Sequence, residues 1–266
     1  MKIRLNGRET DTDKTTVFGL RDEVSSDADI VIVNGFNMRS DREIKDGDDV
    51  VFIKKGVMPS AEILEVMMKA RNTPCVNDAL KSAVVGIAGL GGIGSHVAFA
   101  LARLGVGKLV IADYDVVEPS NLNRQCYFIK DLGRKKTEAT RENLLSVNPY
   151  MEVDVFDGYI DEKNVKEVFC NASVVVEAFD DPECKATLVN TLIGETDKTV
   201  VACSGMAGYG SGNEIATKRT LKRLYVVGDG VSEARDGEGL MSPRVMITAG
   251  HQANEVLRSL MNIMEV

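Results

Sequence analysis

Residues 83–105 read AVVGIAGLGGIGSHVAFALARLG. An apolar run breaks at GLGGIG and resumes with apolar residues at helical spacing. That is the pattern of a buried strand, a tight turn and a helix, with the helix expected over 95–104. Gly89, Gly91 and Gly94 satisfy GxGxxG, with Gly92 as an extra glycine. Residues without a Cβ let the backbone turn sharply, approach a phosphate and seat the helix close to the strand. The helix N-terminus adds oriented N–H groups and a partial positive charge. A nicotinamide dinucleotide, another nucleotide and a bare turn all remain compatible with the glycines alone.

The segments that follow continue the alternation. KLVIADYD (108–115) reads as a second strand, 137–146 as a helix closed by Asn148-Pro149, and MEVDVFDG, ASVVVEAF and KTVVACSG as further strands. Strands alternating with helices imply an α/β fold with a mostly parallel sheet covered on both faces. Ligands of such sheets bind at the carboxyl ends of the strands. Asp113 ends the second strand about 20 residues past the glycines, where a carboxylate accepts hydrogen bonds from ribose hydroxyls. NLNRQ follows with Asn121 and Arg124, then GRKK with Lys136. A dinucleotide carries one pyrophosphate, which the helix N-terminus largely neutralises. Extra cations suggest a triphosphate. Asp180-Asp181-Pro182 stands just after another core strand, where it could also be a plain turn.

The first 58 residues form a separate pattern. Residues 2–6 and 8–12 read as strands around Asn6-Gly7, a strong hairpin signal. Residues 17–24 read as a short helix capped by Thr15 or Thr16. Residues 29–36 and 50–54 read as two more strands, the first ending at Asn34-Gly35. The order β-β-α-β-β is a ubiquitin-like β-grasp. AEILEVMMKARN then reads as one helix, ended before Pro74, with another turn of helix over 77–81. The expected organisation is a β-grasp domain over 1–58, a helical linker over 59–82 and a nucleotide-binding domain over 83–266.

Composition narrows the function. A chain of 266 residues with 44% hydrophobic and 27% charged residues suits a soluble protein with a sizeable core. Its net charge of −8 argues against nucleic acid and acidic membranes as partners. The polar start has no apolar leader and no apolar run reaches the length of a membrane span, so a cytoplasmic location is expected. Cys75, Cys126, Cys170, Cys184 and Cys203 are scattered, with no CxxC pair to hold a structural zinc. Separated thiols in odd number fit a reducing compartment.

Four motifs in order, GLGGIG, ADYDVVEPSNLNRQ, GRKKTEATRENLLSVNP and VVVEAFDD, resemble the E1-type activating enzymes of the ThiF/MoeB/HesA family over 83–263. MKIRLNGRE, IVIVNGF and REIKDGDDVVFI resemble the small ThiS-like sulfur carriers of thiamine biosynthesis. The resemblance implies a Rossmann-like E1-type domain after a β-grasp domain. It implies a homodimer that uses ATP and Mg²⁺ to adenylate the C-terminal glycine of a ubiquitin-like sulfur carrier ending in Gly-Gly. By the same resemblance Gly89, Gly91, Gly92 and Gly94 cradle the nucleotide and Asp113 binds its ribose. Asn121 lies in the NLNRQ segment, Arg124 and Lys136 contact the phosphates, and Asp180 is associated with Mg²⁺ and the reacting phosphate. Arg71 is the candidate, by location, for an arginine that reaches the ATP of a partner chain.

The chain also departs from the family. It lacks the CxxC pairs that hold zinc in many relatives, so no zinc is expected. Arg235 stands where many relatives carry a cysteine that links covalently to the carrier, leaving Cys184 and Cys203 as possible substitutes. Gly56 is internal, so the first domain resembles a carrier in shape without a carrier's free terminus. Two other functions stay in view. One is an NAD-binding oxidoreductase. The other is a non-catalytic scaffold whose carrier-like domain serves for interaction.

Overall fold

A computed structural model describes residues 1–266, with every side chain except that of Glu62. The chain divides into two compact units, Met1–Asp78 and Ala79–Val266.

The first unit holds β1 (Lys2–Leu5), β2 (Arg8–Asp11), α1 (Val17–Val24), β3 (Ile30–Val33), β4 (Phe36–Asn37), β5 (Asp49–Ile53), α2 (Ala61–Lys69) and most of α3 (Pro74–Lys81). Its sheet order is β2-β1-β5-β3-β4, with β1 and β5 parallel and the other neighbours antiparallel. This is the β-grasp arrangement. Thr16 caps α1, accepting a hydrogen bond from Gly19 N–H at 3.2 Å. The sequence pattern called for four strands. The fifth, β4, forms because Asn34-Gly35 takes up left-handed dihedrals (φ 51° and 88°) and folds the chain back on β3.

The continuous apolar runs of β3 and β5 follow from cover on both faces. Val31, Val33, Val50 and Phe52 pack with Ile3, Val17 and Leu20 on the side of α1. Ile32 and Val51, on the opposite face, pack with Val66 and Met67 of α2 and with Ala70. The helix that reads in sequence as a linker thus carries one wall of this unit's core.

The second unit contains β6 (Val84–Ala88), α4 (Gly92–Leu104), β7 (Lys108–Asp113), α5 (Lys136–Val147), β8 (Glu152–Asp157), α6 (Val165–Val168), β9 (Val174–Glu177), α7 (Pro182–Glu195), β10 (Thr199–Cys203), β11 (Ala216–Leu221), β12 (Leu224–Gly228) and α8 (Ser242–Leu260). The sheet runs β11-β12-β10-β9-β6-β7-β8. All neighbours are parallel except the edge pair β11/β12. The chain moves from β6 to β7 and β8, then returns to place β9 on the other side of β6. That reversal opens a crevice above the carboxyl ends of β6 and β9, the place where such sheets bind ligands.

α4 begins at Gly92, three residues before the expected start at Ser95, because glycines of the motif themselves form its first turn. α7 buries Leu188 and Leu192 against Val175, Val200 and Phe169, which fixes the helix that leaves the β9 end of the crevice. Among the described residues no helix is long and apolar enough to cross a membrane.

Candidate nucleotide site

Five strand ends contribute to one cleft. Its walls include Gly89, Gly91, Gly92 and Ile93 after β6, Asp113 to Asp115 after β7, and Gly158 after β8. Ala178 to Asp180 follow β9 and Met206 follows β10. Arg124, Gln125, Lys136, Leu240 and Val245 complete it.

The glycines divide by what surrounds them. Gly89 has φ 92°, and a Cβ there would lie 2.7 Å from the Ala178 carbonyl oxygen. A Cβ on Gly94 would lie 1.9 Å from the Gly89 carbonyl oxygen, so that glycine is required for the helix to seat on the strand. Gly91 is different. The nearest heavy atom to a Cβ there is Gln125 Nε2 at 4.0 Å. Packing leaves that space open, and Gly91 is also the N-cap of α4, with no side chain to accept the first N–H groups. Bare backbone donors beside open space suit an anion.

Asp113 is buried and holds this turn. Its Oδ2 accepts from Leu90 N–H at 2.6 Å and its Oδ1 from Asp115 N–H at 2.8 Å. Tyr127 donates its hydroxyl to the Leu90 carbonyl at 2.8 Å, so the Leu90 peptide is gripped at both ends. Asp113 therefore organises the glycine loop and keeps lone pairs on the cleft side.

Asn121 is not among the cleft-lining residues. It closes a short 3₁₀ turn over Pro119–Asn121, where its Oδ1 accepts from Glu118 N–H at 3.0 Å. Its carbonyl accepts the N–H groups of Arg124 and Gln125 at 3.1 and 2.9 Å. The turn presents Arg124 to the cleft. Arg124 Nη1 donates to the Ser120 carbonyl and to Asn123 Oδ1. It has no carboxylate partner among the described residues, so its charge is available to a ligand. Lys136, the first residue of α5, is buried and donates to Asp115 Oδ2 at 2.7 Å.

The two carboxylates after β9 separate. Asp181 caps α7, accepting from Cys184 N–H at 2.8 Å, and those N–H bonds hold its carboxyl below the usual range. Asp180 lines the cleft and makes no hydrogen bond or ion pair among the described residues. A free carboxylate beside a phosphate site suits Mg²⁺, which takes one or two carboxylates and completes its shell from substrate oxygens and water. Among the described residues no three His, Cys, Asp or Glu side chains gather as they would around zinc.

Residue reasoning left Gln125 out of the site. It is 8% exposed, lines the cleft, and its Oε1 has no hydrogen-bond partner. An orphaned buried acceptor is costly unless something fills the cleft and satisfies it. Its position next to Arg124 in NLNRQ was the available signal. The buried Glu177 and its half-buried partner Lys185 were also missed; Glu177 lies within VVVEAFDD, but nothing in the sequence pairs it with Lys185.

The other candidate positions lie elsewhere. Arg71 is exposed just after α2, in the first unit. Arg235 makes a surface ion pair with Glu238 at 2.8 Å. Cys184 lies 2.8 Å from the Tyr159 hydroxyl, and burial with nearby aspartates raises its pKa. Cys203 is buried, and burial pushes its thiol up to about 11. Neither is poised as a thiolate.

Residues 67–266 match the family model described as ThiF family, and residues 1–56 match ThiS-like ubiquitin. The Caenorhabditis elegans ubiquitin-like modifier-activating enzyme 5 is 30% identical over 236 residues, 78% of this chain and 56% of that protein. The Haloferax volcanii SAMP-activating enzyme E1 is 40% identical over 103 residues, 38% of each chain. This chain thus spans about half or less of the length of these curated relatives. Escherichia coli tRNA N6-threonylcarbamoyladenosine dehydratase in complex with ATP superposes with a TM-score of 0.69 over 77% of this chain and 97% of that one, at 22% identity. That likeness is one of fold.

Proposed function

The chain belongs to the ThiF family, and from that premise we propose that it uses ATP to adenylate the C-terminal glycine of a small ubiquitin-like carrier protein. The observation that carries the proposal is the cleft itself. Open space at Gly91, the orphaned Gln125 amide, the unneutralised Arg124 and the free Asp180 all meet there.

The chemistry matches this set. A carboxylate attacks the α-phosphate and pyrophosphate leaves, so both partners are anionic and repulsion is the first barrier. Such transfer is catalysed mainly by positioning and charge neutralisation. The N–H groups at the start of α4 and the Arg124 guanidinium neutralise phosphate oxygens. Lys136, buried and held by Asp115, adds a second cation near the phosphates. The attacking carboxylate is already ionised at neutral pH, so no protein base is required. Asp180 would hold Mg²⁺, which when bound neutralises the phosphates and the departing pyrophosphate.

We assign the carrier to the sulfur-carrier class, with thiamine biosynthesis the favoured pathway, because the chain carries a ThiS-like domain of its own. That domain continues past Gly56 into α2, so the activated glycine belongs to a separate carrier ending in Gly-Gly. The working unit in this proposal is a cytoplasmic homodimer, with Arg71 reaching the partner's ATP. The test is carrier-dependent ATP–pyrophosphate exchange with purified Gly-Gly-ended carriers. Exchange above background supports the assignment. Absence of exchange together with tight NAD binding would refute it.

A further inference from the structure

Where β9 passes through Asp180 into α7 lies an ion pair between buried Glu177 and half-buried Lys185 that the adenylation chemistry does not use. Glu177 is the last residue of β9 and is 1% exposed. Lys185, in the second turn of α7, places its Nζ 3.0 Å from each Glu177 carboxylate oxygen. Glu177 Oε1 also accepts from Phe179 N–H at 2.7 Å, and Oε2 from Cys203 N–H at 3.4 Å. Lys185 Nζ lies 3.2 Å from Cys203 Sγ. Burial pushes the Glu177 carboxyl up, and Lys185 opposes that push.

A buried ion pair is weak evidence for stability, since apolar residues of similar size often replace one without loss. What the pair does here is local. Glu177, held by Lys185, grips the Ala178–Phe179 peptide one residue ahead of Asp180, while Asp181 grips the helix start immediately after it. Asp180 stands between these two fixed points and lines the cleft.

We infer that Glu177 and Lys185 are a positioning pair, which aims the Asp180 carboxylate at Mg²⁺–ATP by fixing the β9–α7 turn. The inference rests on the adenylation reading. Loss of the aim should appear in chemistry and in metal-dependent binding, not in carrier recognition. A misplacement of about 1 Å can cost about 10²-fold in turnover.

The experiment measures ATP affinity by calorimetry with and without Mg²⁺, alongside carrier-dependent turnover. Wild-type protein should bind ATP more tightly with Mg²⁺, and Asp180→Ala should lose that gain. Lys185→Met should lose most of the gain and about 10²-fold in kcat, with the KM for carrier unchanged. Lys185→Arg should restore both. The double variant Glu177→Leu, Lys185→Leu leaves neither charge without its partner, so it should be more stable than Glu177→Leu alone and still lack the gain. A folded Lys185→Met or double variant with the full Mg²⁺ gain and normal kcat overturns the inference while leaving the adenylation reading intact. A wild-type protein with no Mg²⁺ gain overturns the site assignment, and the inference with it.

Discussion

Two turns of the second unit do similar jobs by opposite means. The β6–α4 turn is built by removing side chains: Gly89 and Gly94 let backbone approach backbone, Gly92 makes room for Val245, and Gly91 leaves open space. The β9–α7 turn is built by adding charge: Glu177 paired with Lys185 across it, Asp181 at its helix cap, and Asp180 without a partner among the described residues. Both follow a buried parallel strand and both feed a helix. The glycine turn offers N–H donors to an anion, and the carboxylate turn offers an oxygen to a cation. On the proposed function, the contrast would place the two needs of a metal–phosphate ligand on neighbouring strands, β6 and β9.

The comparison can be broken most forcibly at Gly94. Its Cβ would overlap the Gly89 carbonyl, so Gly94→Ala should cost about 3 kcal/mol or more. For a unit of this size that lowers the melting temperature by about 6 °C or more. Thermal unfolding within 2 °C of wild type would show that the turn is not fixed by close approach.

Next in size are the charges. Arg124→Ala, Lys136→Ala and Asp180→Ala should each lower carrier-dependent pyrophosphate release by about 10²-fold, as loss of one transition-state donor does. Asp180→Ala should leave the melting temperature unchanged, because no hydrogen bond or ion pair is lost among the described residues. Near-wild-type rates in all three would remove the site from consideration.

Gly91 separates the two kinds of glycine. Gly91→Ala meets nothing closer than 4.0 Å and should fold normally. It should weaken ATP binding about tenfold, equivalent to about 1.4 kcal/mol, by filling the approach to the helix N-terminus. Equilibrium binding that matches wild type would mean that this space is not where phosphate lies.

Asp181→Ala sharpens the contrast within the carboxylate turn. It removes the α7 cap and should cost about 1 kcal/mol of stability, with a smaller effect on turnover than Asp180→Ala. A reversed order, with Asp181 the more important for rate, would exchange their roles.

The smallest effects concern thiols. Cys75 and Cys170 are exposed, whereas Cys126 and Cys203 are pushed up to about 11 by burial. Alkylation at pH 8, followed by mass spectrometry, should modify the exposed pair first and Cys203 last. Cys203→Ala and Cys184→Ala should leave adenylation intact. A reductant-sensitive enzyme–carrier adduct that disappears in either variant would instead make that cysteine a covalent acceptor.

Much of this was written in the order of residues along the chain. The spacing of Gly89, Gly91 and Gly94, the carboxylate of Asp113 and the cations of NLNRQ and GRKK are local signals, and local sterics and charge fix what they can do. The β-grasp strands were equally legible, since IVIV and VVFI are short, mostly β-branched apolar runs bounded by turn residues. Helix boundaries were less so. Whether Gly92 belongs to a turn or a helix depends on what packs against it, here Val245 of α8. Only the tertiary structure decided that Asp180 is free while its neighbour Asp181 is a cap, that Asn121 holds a loop rather than lining the cleft, and that Gln125 is left without a partner. It alone brought the Glu177 carboxylate against the Lys185 ammonium across the β9–α7 turn. The reason is physical: hydrogen bonds and ion pairs between elements depend on which strands become neighbours, and strand order leaves no periodic trace in the sequence.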